Sequence, residues 1–167
     1  MRKVLIGLSV AVVAAALLAG AAFAARPNQS WHFVAPLSGA EEVPANDSLG
    51  RGVAIFHLSA DGESLSYRLI VANIENVTQA HIHAPAPAGA DAGVVVWLYP
   101  EDGQAPELIP GRFDGVLATG TITEDDLVGA FAGQPLSTLI DAITSGNAYV
   151  NVHTTQFPPG EIRGQLD

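Results

Sequence analysis

The chain has 167 residues, with 7 basic against 17 acidic side chains, a formal net charge of −10, five histidines and no cysteine. The charge argues against nucleic acid and anionic membrane surfaces as partners and favours cations. The lack of cysteine excludes disulfides, thiolate nucleophiles and thiolate metal ligands.

The N-terminus reads as an export leader. Arg2 and Lys3 precede an uncharged run rich in Ala, Val and Leu that ends in Ala22-Phe23-Ala24, an A-x-A cleavage pattern. The expectation is a signal peptide over residues 1–24, cut after Ala24, and a secreted or periplasmic product with no membrane attachment. The run approaches the roughly 20 residues a membrane span needs, but its small residues and its cleavage pattern favour removal. Ala21 follows Leu17-Leu18-Ala19-Gly20 where a lipid-modified leader would need Cys. Residues 25–31 read as a short tether.

The rest is mostly β. Trp31 to Leu37 forms a first strand closed by Ser38-Gly39, and Gly52 to Leu58 alternates with Ala54, Phe56 and Leu58 on one side. After a turn at Asp61-Gly62, Leu65, Tyr67, Leu69 and Val71 alternate with Ser66, Arg68, Ile70 and Ala72, which predicts a hairpin. Gln79 to His83 is a short strand stopped by Pro85 and Pro87. Val94 to Tyr99 is almost continuously apolar, as a central strand would be. Gly115 to Thr121, Ala148 to His153 and Glu161 to Leu166 complete the strands.

Two helices interrupt them. Thr123-Glu124-Asp125-Asp126-Leu127 has a capping Thr and acids in its first turn. Pro135 to Ser145 carries Leu136, Leu139, Ile140 and Ile143 at helical spacing and stops at Gly146. The expected fold is a Greek-key β-sandwich or barrel of about eight strands, with one or two short helices before the last two.

Six ordered motifs then align: Leu37-Ser38-Gly39-Ala40-Glu41-Glu42-Val43-Pro44, Gly50-Arg51-Gly52, Leu65-Ser66-Tyr67, Ala80-His81-Ile82-His83 with Gly89 and Gly93, Ala148 to Thr154, and Pro159 to Leu166. Together they closely resemble the CHRD domain, named for the animal protein chordin and also found in secreted bacterial proteins. The resemblance covers residues 32–167 and implies fold more than activity.

Chemistry concentrates in three histidines. A strand puts residues i and i+2 on one face, so His81 and His83 can chelate one ion and His153 can complete the site. Three neutral imidazoles suit copper, zinc, nickel or iron by ligand type, and zinc often takes three protein ligands plus a water; the expected ion is copper, with zinc the second choice. A His-x-His strand, a Val-x-Val-His strand and Gly-x-x-Arg-Gly are similar to the copper/zinc superoxide dismutase sandwich. That similarity implies His81, His83 and His153 as copper ligands and Arg163 as the arginine that guides an anionic substrate. There is no histidine between His83 and His153 and no cysteine, so the bridging ligand, the rest of the zinc site and that family's disulfide are missing. Glu161 is a further acceptor able to orient an imidazole, with a cap or a pair with Arg163 as its other reading.

No catalytic residues are expected. Three functions compete: a non-enzymatic domain binding one copper-like ion through three histidines; a metal-free envelope or extracellular module contacting a protein partner; and a copper-only dismutase. In the metal-free reading, the histidines are polar residues holding the Pro85–Gly93 loop through backbone carbonyls. His57 and His32 read as surface residues. Asp91 and Glu124-Asp125-Asp126 lack the spacing of a calcium loop, and Asn76-Val77-Thr78 matches a glycosylation acceptor common by chance.

Overall fold

In the computed structural model, the described residues are 31–101, 103 and 106–167. The leader, its cleavage site and all but the last residue of the tether lie outside them. Among the described residues there are seven strands, β1 Trp31–Ser38, β2 Arg51–Leu58, β3 Leu65–His83, β4 Val94–Tyr99, β5 Ile109–Ile122, β6 Tyr149–Thr154 and β7 Ile162–Gln165, and one α-helix, α1, Leu136–Thr144. Backbone pairing runs β2-β1-β7-β6-β3, and β3 pairs again with β2. The circuit is closed, and the sheet is barrel-like.

The strand count falls from about eight to seven because the two strands expected at 65–72 and 79–83 are one. Asn73 and Asn76 take left-handed conformations at φ 56° and 53°, which asparagine tolerates better than most residues. They bend β3 without ending it. The first half of β3 is flanked by β2 and β5, the second by β4 and β6. The amide oxygen of Asn76 accepts the Gly111 N–H at 2.8 Å, so this side chain is tied to the start of β5.

Three other expectations change. β4 is not central, since among the described strands it is hydrogen-bonded to β3 alone and ends the strand order. Its apolar run reflects cover from a short 3-10 turn at Gly129–Phe131 and a loop bond from Val128 N–H to the Val95 carbonyl at 2.9 Å. The helix expected from Thr123 is a single 3-10 turn, Glu124–Asp126. The Asp126 carboxylate accepts both the backbone N–H and the hydroxyl of Thr123, at 2.7 and 2.9 Å. Gly129 then turns left-handed at φ 58°, and a Cβ there would lie 2.4 Å from the Val94 carbonyl, so the chain passes over β4 and cannot extend the helix. Finally, β5 begins at Ile109, earlier than the run from Gly115 suggests.

The core follows the expected alternation. Leu65, Tyr67, Leu69 and Val71 are buried while Ser66, Arg68 and Ala72 are exposed. α1 adds Leu136, Leu139, Ile140 and Ile143 to the same cluster and is closed beyond its last residue by Gly146, whose N–H reaches the Ile143 carbonyl at 2.9 Å. β6 is buried on both faces along its whole length. Val150 and Val152 join the core, while Tyr149, Asn151 and His153 face the other way. That second face is where the chemistry lies.

Candidate metal centre

Register places Trp97 of β4, His81 of β3, Asn151 of β6, Arg163 of β7 and Ser38 of β1 in successive pairs across the sheet. Cross-strand partners share a face, so these residues form one row on the side away from the apolar core. His83 and His153 sit two residues along their strands from His81 and Asn151, on the same side. Loops cover the row, which explains why polar residues on an outer face are only 2 % (His81), 8 % (His83) and 7 % (His153) exposed.

Several hydrogen bonds hold the loop from Ala84 to Gly93, four of them involving His83, Tyr149 and Arg163. The Nδ1–H of His83 donates to the Ala92 carbonyl at 2.9 Å, and Ala92 N–H donates to the Tyr149 hydroxyl at 3.3 Å. Arg163 donates to Asp91 at 2.9 Å and to the Ala90 carbonyl. The turn after β6 is tied by the Nδ1–H of His153, which donates to the Pro158 carbonyl at 2.8 Å. A carbonyl can only accept, so both rings carry their proton on Nδ1 and leave Nε2 as a bare lone pair. Such backbone acceptors orient imidazoles toward a metal.

The ligand nitrogens converge. His81 Nδ1 lies 3.2 Å from His153 Nε2, and one nitrogen from each of His81, His83 and His153 falls within 4.8 Å of the others. Nitrogens sharing one ion at about 2.0–2.1 Å lie roughly 3.3–4 Å apart, so a modest contraction would seat one. The Nε2 of His81 is buried without a hydrogen-bond partner, and its ring meets Trp97 edge-on at 4.3 Å.

Electrostatics keep the rings neutral. Burial, followed by the neighbouring His153 and His83, lowers the His81 pKa from 6.5 to about 3. Burial is also the main cause lowering His83 and His153. A neutral imidazole is the form that ligates.

Asn151 escaped the sequence reading, although its position two residues before His153 puts it on the same face. Its Oδ1 lies 2.9 Å from His83 Nε2 and 3.0 Å from His153 Nε2. Tyr149, its neighbour on that face, lies between His83, stacked at 4.7 Å and 3°, and Arg163, whose guanidinium carbon is 3.4 Å from the ring centroid.

The family model for the CHRD domain matches residues 33–166. The chain belongs to the CHRD domain family. No curated protein and no solved structure matches it. In this CHRD domain Glu161 accepts hydrogen bonds from Ser48 at 2.7 Å and Thr154 at 2.6 Å, and the two imidazole N–H groups described above go to backbone carbonyls. Arg163 is 2 % exposed and pairs with Asp91. His32 and His57 are exposed cross-strand partners whose rings meet at 4.3 Å, outside the three-histidine group.

A cleft of about 270 Å³, lined by Tyr67, Trp97, Glu101, Asp125 and Asp126 among others, opens on the far side of Trp97. It contains none of the three histidines. Trp97 lines this cleft and also meets His81 edge-on, so it stands between the cleft and the histidine cluster.

Proposed function

We propose that this CHRD domain binds one transition-metal ion, copper by preference and zinc second, through His81 Nδ1, His83 Nε2 and His153 Nε2, without catalysing a reaction. One observation carries the reading. Two buried imidazoles have their protons fixed on Nδ1 by backbone carbonyls, so their Nε2 lone pairs and the third ring converge on one buried point. Nitrogen ligands of this kind suit copper and zinc. The leader pattern supports export to the periplasm or the exterior, where the acidic chain would carry its ion away from nucleic acid and anionic membrane.

The dismutase alternative is less well supported. An arginine that guides an anion must be open to it, and Arg163 is buried, stacked on Tyr149 and paired with Asp91. The metal-free module draws support from the same carbonyl bonds, which hold loops, but it leaves the Nε2 of His81 buried without a partner. Calorimetric titration of the metal-free mature protein decides. We expect one copper or zinc per chain and loss of binding when His81, His83 and His153 are all changed to Ala. Binding that survives the triple change refutes the site, and no binding by the intact protein refutes the function.

A further inference from the structure

The contact between Asn151 and the two histidines has an electronic contradiction in it. With both protons on Nδ1, His83 Nε2 and His153 Nε2 are acceptors, yet each lies 2.9–3.0 Å from the same terminal atom of the Asn151 amide. An amide oxygen there would set its own lone pairs against two others, in a place where Asn151 is 3 % exposed and little water can intervene. A half-turn about Cβ–Cγ exchanges oxygen for nitrogen while leaving the shape of the side chain almost unchanged. The NH2 group has two hydrogens, one for each imidazole.

We infer that Asn151 presents its NH2 group to His83 and His153, and that in the metal-free protein it stands where a bound ion would need to be. This rests on the metal-binding reading and deepens it. The amide is a surrogate for the ion: it satisfies the Nε2 lone pair of His83 and shares that of His153 with the Nδ1–H of His81, 3.2 Å away, keeps the rings aimed, and explains a spread of up to 4.8 Å among nitrogens that an ion would draw closer. Asn151 is thus a positioning residue that also competes with the metal. Any ion must displace it, and the affinity is set below what three bare histidines would give.

Two measurements test this. In the 15N-labelled metal-free protein, NMR of the histidine rings should show Nδ1–H tautomers at His83 and His153. The Asn151 NH2 protons should exchange slowly and show correlations to both Nε2 nitrogens, and one equivalent of zinc should abolish those correlations. Nε2–H tautomers overturn the inference. Secondly, Asn151→Ala should melt at a lower temperature without metal and bind zinc about tenfold more tightly. Unchanged or weaker zinc affinity in a folded Asn151→Ala protein overturns the competition. The two readings fail separately. A wild-type protein that takes up neither zinc nor copper overturns the metal function and the competition with it, whereas Nε2–H tautomers in a protein that does bind zinc overturn the role of Asn151 alone.

Discussion

Buried ionisable side chains around the row pull stability in opposite directions with pH. The three imidazoles have folded pKa values below the unfolded 6.5. Their contribution is therefore complete above pH 6.5 and is lost as pH falls toward the folded values. Glu42 does the reverse. Desolvation raises it from 4.5 to about 7 despite the nearby Arg163, so its contribution is complete below pH 4.5 and lost as pH rises through 7. Its Oε1 is buried without a partner, and its carboxyl sits so close over Gly160 that a Cβ there would lie 2.4 Å from it. Glutamine mimics the protonated acid. We expect Glu42→Gln to gain on the wild type by about 1–3 kcal/mol between pH 4.5 and pH 8, read from urea unfolding of the metal-free protein at each pH. A difference independent of pH would show that Glu42 titrates normally.

Among the elements, the seam between β1 and β7 is the narrowest part of the closed circuit. It has one registered pair, Ser38 with Arg163, and two backbone bonds joining Val34 and Asp167 at 2.9 and 3.3 Å. A Cβ on Gly164 would lie 2.1 Å from the Pro36 carbonyl oxygen, and a strand backbone cannot yield as a side chain would. Gly164→Ala should cost about 3 kcal/mol, at the upper end of ordinary substitutions, and a wild-type urea midpoint would mean that the seam opens freely. This scale also shows what the sequence could reveal. Alternation in Leu65–Val71 and the helical stripe of α1 were legible because each pattern reflects one local period. The union of two strands into β3 was not, because asparagines that bend a strand look in sequence like asparagines that end it. β4 was misplaced because an apolar run records burial and not what does the burying. His81 and His83 were legible from i, i+2 spacing, and His153 from its motif. Asn151 carried no signal of its own beyond the spacing to His153, and the acceptors at Ala92 and Pro158 are backbone atoms, which any sequence supplies.

For the molecule as a whole, the apolar core and the polar row lie on opposite faces of the same strands. The core cluster, which includes Phe56, Leu69, Ile82, Val150 and Val152, does not depend on an ion. Chelation should therefore leave the far-ultraviolet circular dichroism of the protein unchanged. Metal at about 100 times its Kd should add about 2.7 kcal/mol and raise the melting temperature on the order of 5–10 °C. Loss of β signal on chelation would show that the ion is part of the fold.

The covered row also has a consequence in time. His81 and His153 are 72 positions apart and meet only after β3 and β6 have paired, so the three-histidine site does not exist before that step. Once the strands have paired, the loops at 84–93 and 155–160 shut the cluster in. Metal uptake should then be gated: the rate rises with metal concentration at first and levels off at the opening rate of the loops. Stopped-flow quenching of Trp97 by copper(II), followed in a Trp31→Phe background, measures this. A rate that stays linear to the highest concentration would mean that the ion reaches the histidines without waiting for the loops.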